Sequence, residues 1–167
     1  HTVTYIKATG TAKTYTVDGI KTAYVKKDGG LFKLDDDGTA YYAYSDMKEA
    51  VSAAVGGRVL VIGEYTGNLG SYWGGSGVTE ISGYDENAVL TLSALYMWTP
   101  LEFKNIKISG NSATLNADSR PIIFGEGIEV VGNGLNVYGS TGAAARPTNV
   151  TIKSGKYAKV VGGNVGS

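Results

Sequence analysis

The segment Asn105–Val161, NIKISGNSATLNADSRPIIFGEGIEVVGNGLNVYGSTGAAARPTNVTIKSGKYAKVV, decides the fold of this chain. An apolar-x-apolar pair recurs in it at a regular period, as Ile106 and Ile108, Ile128 and Val130, and Val150 and Ile152. A second series keeps that period with one slip of a single position, as Ala113 and Leu115, Leu135 and Val137, and Ala158 and Val160. Each pair is typical of a short strand with one face inward, and a fixed period indicates stacked units.

Each period therefore predicts one turn of a coil, since about 22 residues suffice for three short strands and their corners. Strands of the same phase would lie parallel in successive turns, which makes the fold an all-β parallel β-helix. A β-sandwich with evenly spaced strands is the alternative, but it does not require one apolar pattern to recur at one spacing. The coil predicts two inward ladders, formed by Ile106, Ile128 and Val150, and by Ile108, Val130 and Ile152.

Composition is consistent with a single globular unit and excludes several classes of protein. The 167 residues include 25 glycines and only three prolines, so the glycine excess indicates corners rather than a disordered tract. Lysine plus arginine balances aspartate plus glutamate at 15 each, which gives no electrostatic basis for binding nucleic acid. The chain contains no apolar run long enough to predict membrane insertion. The absence of cysteine excludes a disulfide framework and is consistent with an exported bacterial protein.

Residues 1–44 predict antiparallel lead-in strands packed on the coil. Alternating segments are separated by the turns Lys26–Gly30 and Asp35–Gly38, and this part does not show the period of the later segment. Residues 45–167 are predicted to form one parallel β-helix, with Val59–Ile62 as its first strand and a regular register from Leu101. Because no cap follows the last strand, we expect the natural protein to continue past Ser167 or this end to pair with another chain.

One helix is predicted, over Ser45–Val55. Its apolar residues fall on one stripe, Asp46 is placed to cap its N-terminus with Glu49 three positions later, and Gly56-Gly57 ends it. The first turn of a coil leaves its core open to water, so we expect this N-terminal capping helix to cover it. The stripe comprises Met47, Ala50, Val51, Ala54 and Val55.

Several segments resemble a known family. AYSDMKEAVSAAVGGRVLVIGEY (43–65) resembles the helix, Gly-Gly and strand that open right-handed parallel β-helices of the pectate-lyase-like type. VLTLSALYMWTPLEFKNIKISG (89–110) is similar to one of their turns with an aromatic loop. RPIIFGEGIEVVG (120–132) and VTIKSGKYAKVVGGN (150–164) resemble repeats of large cell-surface proteins from Gram-positive bacteria. The resemblance implies a right-handed coil and a secreted or cell-surface location.

Members of this family include polysaccharide lyases and hydrolases, adhesins and non-catalytic glycan-binding modules. Family hydrolases use several aspartates with a Gly-His-Gly and an Arg-x-Lys, whereas the only histidine here is His1. Lyases use acidic calcium ligands and an arginine or lysine base, and the nearest set is Asp118-Ser119-Arg120 with acidic residues in neighbouring turns. A solvated corner with a local ion pair is the preferred explanation of that set, so no catalytic residue is assigned. The acidic residues are Glu102, Glu126 and Glu129.

The turn Asp35-Asp36-Asp37-Gly38 is the candidate metal site. Hard cations such as calcium bind several carboxylate oxygens, and three carboxylates stand here beside a turn glycine. The segment lacks the spacing and distal glutamate of an EF-hand, and Asp and Gly also form ordinary turns. Calcium is therefore a candidate cofactor, weighed against a purely structural turn.

Two aromatic loops form the candidate ligand site. Tyr72 and Trp73 lie in the glycine-rich segment Gly67–Gly77, and Tyr96 and Trp98 follow about one turn later. Aromatic rings pack against the C–H faces of sugars, so the loops predict a glycan platform, while packing on the coil is the alternative.

Together these features predict a non-catalytic, exported β-helix module that binds polysaccharide or presents a rigid surface on the cell envelope. The alternatives are a fragment of a polysaccharide lyase or hydrolase, and an adhesin or spacer segment that contacts protein. The sequence leaves the glycan and the oligomeric state open.

Overall fold

The computed structural model of the chain describes residues 10–69, 77–96, 99–110, 113–141 and 147–164. One helix, α1 (Met47–Ala53), lies between the fourth and fifth strands. The strands are β1 (Tyr15–Val17), β2 (Ile20–Lys26), β3 (Gly30–Leu34), β4 (Ala40–Ala43), β5 (Arg58–Ile62), β6 (Glu64–Leu69), β7 (Thr79–Gly83), β8 (Val89–Tyr96), β9 (Leu101–Lys104), β10 (Ile106–Ser109), β11 (Ala113–Asn116), β12 (Ile122–Phe124), β13 (Ile128–Val131), β14 (Leu135–Ser140), β15 (Val150–Ile152) and β16 (Lys159–Asn164).

These strands form a parallel β-solenoid of about four turns, which confirms the predicted fold class. The first sheet has the order β1-β2-β5-β7-β9-β12-β15, and every pairing after β1 is parallel. The second sheet has the order β13-β10-β8-β11-β14-β16, with β6 also paired to β8. The long strand β8 bends this second sheet, because its first residues pair with β10 and its last residues pair with β11.

Within the organising segment, most of the predicted register is confirmed. Ile106 pairs with Ile128 and Ile108 with Val130, as the first series requires. The second series continues in register from Ala113 and Leu115 to Leu135 and Val137, and then from Val137 to Val160. Equivalent residues in successive turns of the second sheet can therefore be identified from a nearly constant spacing in the sequence, with one slip of a single position between Val137 and Val160.

The third copy of the first series was placed wrongly. Val150 and Ile152 do not stack on Ile128 and Val130; they pair with Ile122 and Phe124 in the first sheet. The step from Leu101 to Ile122 is close to the regular period, but the step from Ile122 to Val150 is distinctly longer. The longer connection carries the periodic pattern onto a different sheet, and β13 is left as an edge strand.

The coil also begins earlier than the sequence indicated. Val59, Ile81 and Phe103 follow one another at the regular period in the first sheet, and Ala23 precedes them in the same row. The first parallel strand is therefore β2 rather than Val59–Ile62. The antiparallel part of the lead-in consists of the β1–β2 pair and the β3–β4 hairpin.

The core is a set of inward-facing ladders running the length of the solenoid. Ala23, Val59, Ile81, Phe103 and Phe124 form one such row, and each is 0% exposed. The rings of the two phenylalanines stack with centroids 5.4 Å apart. Consecutive side chains of a strand point to opposite faces, so every second residue lies in this core. The residues between them face outward, and polar residues therefore occupy the outer rows.

Helix α1 covers the open first turn, as predicted, although it is shorter than the interval Ser45–Val55. Its N-cap Asp46 accepts a hydrogen bond from the backbone N–H of Lys48. Met47 and Val51 are buried, and the hydroxyl of Tyr65 on β6 donates to the carbonyl of Ser45 and accepts from the N–H of Met47. Gly56, at φ 73°, then turns the chain into β5.

The β3–β4 hairpin lies on the outer face of β2. Tyr24 points outward from β2, and its ring centroid lies 4.6 Å from that of Phe32 and 6.2 Å from that of Tyr41. Tyr15 of β1 completes the cluster, with its centroid 4.8 Å from that of Tyr41. Strand β2 is consequently buried on both faces, with Thr22 at 0% and Tyr24 at 3% exposure.

Candidate functional site

The predicted glycan platform is only partly within the described structure. Tyr72, Trp73 and Trp98 lie outside the described residues. Tyr96 ends β8, where its backbone pairs with Asn116, and its side chain also lies outside the description. The platform formed by these four aromatic residues stays a prediction from the sequence.

The predicted calcium site forms the turn between β3 and β4. Asp35 accepts a hydrogen bond from the Tyr41 hydroxyl at 2.7 Å and pairs with Lys33 at 3.3 Å. Asp37 accepts the backbone N–H of Thr39 at 2.9 Å, which lowers the pKa of the Asp37 carboxyl. Among the described residues, no three acidic or histidine side chains are grouped so as to hold a metal ion. Local hydrogen bonds account for this turn, and calcium binding at Asp35, Asp36 and Asp37 stays a prediction.

The Asp118-Ser119-Arg120 set forms a tight corner between β11 and β12. Asp118 and Ser119 have φ values of 45° and 64°, and Arg120 Nη1 lies 2.5 Å from Asp118 Oδ2. Glu102 lies in the first sheet and Glu129 in the second, so these acidic residues occupy different faces of the solenoid. The corner therefore has the local ion pair of the structural alternative considered for this set.

The outer face of the first sheet carries two rows of polar side chains, which we call the outer strip. The first row contains Arg58, Glu80 and Glu102 at equivalent positions in three successive turns. The second row contains Ser82 and Lys104, which are paired in register further along the same strands. Adjacent strands are about 4.8 Å apart, so these groups repeat at that interval along the solenoid.

Hydrogen-bonding capacity in the outer strip is only partly used. Arg58 donates from Nη2 to Thr22 Oγ1 at 3.2 Å, while its buried Nε has no hydrogen-bond partner in the described structure. Ser82 donates to Glu80 Oε1 at 2.5 Å. The ion pairs found among the described residues join Lys33 to Asp35 and Arg120 to Asp118 and involve no charge of the outer strip.

An exposed aromatic ring borders the outer strip. Tyr84 follows β7, and its backbone N–H donates to the carbonyl of Val61 at 2.8 Å. Tyr84 is 39% exposed, and its ring packs edge-on against Phe32 of the hairpin, with centroids 5.7 Å apart, and against Tyr24, 6.0 Å apart. The hairpin thus holds one face of an exposed tyrosine next to the polar rows.

The Asp35 carboxylate raises the pKa values of two neighbouring side chains in the hairpin, Tyr41 and Lys33. The hydrogen bond to Asp35 raises the pKa of Tyr41 to about 12, so its hydroxyl remains a donor above its ordinary pKa of 10.0. The same carboxylate raises the pKa of Lys33, whose ammonium lies 4.8 Å above the Tyr41 ring. These contacts hold the β3–β4 hairpin together and involve no side chain of the outer strip.

Neither the outer strip nor Tyr84 was identified from the sequence. The signal was present, since Arg58, Glu80 and Glu102 recur at the same period as the buried Val59, Ile81 and Phe103 that follow them. This period was difficult to recognise, because strands β6 and β8 lie between these residues in the sequence. Both strands carry apolar pairs of their own at other positions of the repeat. Tyr84 gave no signal, because its exposure depends on where the hairpin packs.

The architecture and the repeated outer rows define the chain as a parallel β-solenoid. No family model, no curated protein and no solved structure matches it. No helix within the described ranges has the length and apolar character needed to cross a bilayer.

Proposed function

We propose that this protein binds polysaccharide without cleaving it, using the outer strip and Tyr84. The observation that supports this function is the exposed ring of Tyr84 beside rows of polar side chains on a rigid parallel sheet. An aromatic face packs against sugar C–H groups, and flanking charged and hydroxyl groups orient the sugar hydroxyls. Binding therefore requires only an exposed aromatic surface and hydrogen-bonding side chains held on a rigid sheet.

Preorganisation supports this proposal. Phe32 and Tyr24 pack against Tyr84, so little side-chain freedom remains for a ligand to remove. Glu80, Glu102 and Lys104 are partly exposed and stand on hydrogen-bonded strands with a constant spacing, while the buried Ser82 hydroxyl holds the Glu80 carboxylate. A polymer with a repeating unit is the kind of ligand that engages a surface with repeating groups.

The proposed setting is the outside of a bacterial cell. The resemblance of residues 43–164 to pectate-lyase-like β-helices of Gram-positive surface proteins, together with the absence of cysteine, supports a secreted or cell-surface module. The predicted platform of Tyr72, Trp73, Tyr96 and Trp98 would add a second contact region. Substitutions at Tyr84 and at the tryptophans test the two regions separately.

The test is affinity electrophoresis through gels that contain a panel of plant and microbial polysaccharides. Tyr84→Ala is expected to weaken retention on the bound polysaccharide by roughly tenfold, the scale of one aromatic contact. Lys104→Gln and Glu102→Gln should weaken it less. Tyr138→Ala, a tyrosine on the outer face of the second sheet, is the matched control and should retain binding. Retention of every polysaccharide by the Tyr84→Ala variant as by the parent would remove the proposed site.

A second candidate function is hydrolysis, favoured by the placement of Glu80 and Glu102. Their backbones pair directly in adjacent strands, so two carboxylic side chains stand next to each other on one face, and glycosidases use a pair of carboxyl groups. Release of reducing sugars by the purified protein, abolished in both Glu80→Gln and Glu102→Gln, would establish this alternative. Binding without release supports the non-catalytic function.

A further inference from the structure

We infer that Asn133 is a site of spontaneous deamidation, and that the isoaspartyl linkage formed there destabilises the stacking of β13 and β14 on the preceding turn. The site is the turn Gly132-Asn133-Gly134, which joins these two strands. The reaction needs only water and the chain itself, and it does not depend on glycan binding at the outer strip.

The first observation is the sequence of the turn. In the whole chain, only Asn133 is followed directly by glycine. Deamidation begins when the main-chain nitrogen of the next residue attacks the side-chain amide carbon of asparagine, and a side chain on that next residue obstructs the approach. Gly134 has no Cβ, and it tolerates the backbone rotation that the attack requires. Asn133 is therefore the asparagine of this chain with the least hindered nucleophile beside it.

The second observation is the exposure of the turn. Asn133 and Gly132 are exposed, and Gly134 is half-buried. Gly132 and Gly134 have φ values of 76° and 94°, so a residue with broad conformational freedom stands on each side of the asparagine. Water reaches the Asn133 side chain, and an exposed turn of this kind opens locally at a low cost in free energy.

The reaction is a ring closure followed by hydrolysis. The Gly134 nitrogen forms a bond to Cγ of Asn133, the C–N bond of the side-chain amide breaks, and the proton of the Gly134 nitrogen leaves with the ammonia. Water then opens the resulting five-membered succinimide at one of its two carbonyl carbons. Attack at Cγ gives an ordinary aspartate. Attack at the main-chain carbon gives isoaspartate, whose peptide link runs through the side chain and adds one carbon to the backbone.

The third observation is that strand pairing fixes both ends of the turn. Before the turn, Val131 pairs with Ser109 of β10. After it, Leu135 pairs with Ala113 of β11. Three residues therefore join β13 to β14, and three residues join β10 to β11 in the preceding turn of the solenoid. An additional backbone carbon has to shift one of these pairings.

Packing around Gly134 leaves little space for the longer linkage. A Cβ added to Gly134 would lie 2.8 Å from the Cβ of Ala158 in the following turn. A Cβ added to Gly110 in the preceding turn would collide with the carbonyl oxygen of Gly134. The main chain at Gly134 is thus held closely between two turns, so isoaspartate is expected to disturb both contacts.

The test follows the folded protein during incubation in mildly alkaline buffer, since a higher pH favours the deprotonated nitrogen. Peptide mass spectrometry should detect conversion of Asn133 at least roughly tenfold faster than that of Asn87, which is exposed in another turn but is followed by Ala88. An isoaspartate-specific methyltransferase should label the peptide that contains residue 133. Asn133→Gln should abolish the label, because its longer side chain would have to close a less favourable six-membered ring.

A second measurement separates the longer backbone from the added charge. The isoaspartate form isolated from the incubated parent should melt about 2–4 °C or more below fresh protein. Asn133→Asp, which carries the charge on a normal backbone, should melt close to the fresh parent. Asn133→Gln incubated in parallel should keep its melting temperature, which controls for changes elsewhere in the chain.

Conversion of Asn133 no faster than that of Asn87 would overturn the assignment of the modification site. Equal melting of the isoaspartate form and the fresh protein would overturn the effect on the stacking of β13 and β14.

Discussion

The two ends of this solenoid belong to the same ladders but differ in how those ladders finish. At the N-terminal end Ala23 and Val59 are 0% exposed, whereas at the other end Ile152 and Val160 are 39% and 44% exposed. All four residues are apolar and face the same interior. Position in a ladder therefore does not bury a side chain; a following turn or a cap does.

The caps explain the difference. Helix α1 packs on β2, β5 and β6, and the Tyr65 hydroxyl ties its first turn to β6 through two hydrogen bonds. At the other end a single ring, Tyr157, packs edge-on against Phe124 with centroids 4.8 Å apart and donates one hydrogen bond to the carbonyl of Ser154. Within the described ranges, a helix covers the first turn, whereas the Tyr157 side chain packs on the last turn.

The largest expected contrast is between two isoleucines of the same ladder. Ile81→Ala should lower the free energy of unfolding by about 2–5 kcal/mol, because it opens a cavity in a fully buried row. Ile152→Ala should lower it by less than about 1 kcal/mol, since that side chain is already partly in water. Urea denaturation of both variants measures the pair, and similar losses at the two positions would contradict the difference between the ends.

The capping helix provides the next effect. Val51→Ala should cost about 1–3 kcal/mol, since Val51 is 0% exposed on the inner face of α1. Lys48→Ala, at an exposed position of the same helix, is the control and should change stability little. Hydrogen exchange that finds α1 unprotected in the parent protein would remove its capping role.

Removing the hydroxyl of one tyrosine at each end compares the hydrogen bonds that stabilise the two ends. Tyr65→Phe should cost about 1–2 kcal/mol, because it leaves the N–H of Met47 and the carbonyl of Ser45 without this partner. Tyr157→Phe should cost about 0.5–1 kcal/mol, since only one bond is lost. Thermal unfolding of both variants decides whether the closed end is held more tightly.

The smallest expected effect appears at alkaline pH. Burial raises the pKa of Tyr157 above its usual value of 10.0, so ionisation is easier in the unfolded chain. The stabilisation from its protonated form is complete below pH 10 and declines as pH rises towards the folded-state pKa. The parent should therefore lose more stability above pH 10 than Tyr157→Phe, and parallel stability curves for the two proteins would refute this contribution.

The sequence correctly predicted the stacking of residues that recur at a constant period, but it did not predict where a longer connection breaks that period. Ile106 and Ile128, or Leu115 and Val137, were correctly stacked because alternation and a constant period specify an inward position in the next turn. Val150 and Ile152 were misplaced because the longer step to this turn imitates the correct spacing on another sheet. Apolar spacing alone does not state which sheet a strand joins.

The candidate site was harder to predict for a related reason. The structure shows that β5, β7 and β9 are neighbouring strands, and only this order identifies Arg58, Glu80 and Glu102 as one row. Tyr84 owes its position to Phe32 and Tyr24, which approach it from the hairpin and from β2, both much earlier in the chain. The predicted platform of Tyr72, Trp73, Tyr96 and Trp98 stays a separate prediction from the loops.

By itself the sequence determined the parallel coil, which residues of each alternating strand face inward, and the helix that covers the first turn. These properties follow from local periodicity, since alternation sets the face of a strand and an apolar stripe with a capping residue sets a helix. Only the tertiary structure decided that β2 opens the first sheet, that Val150 joins that sheet, and which apolar residues remain exposed at the other end. Those outcomes depend on pairing between distant strands, whose energy comes from hydrogen bonds and contacts that no local pattern encodes.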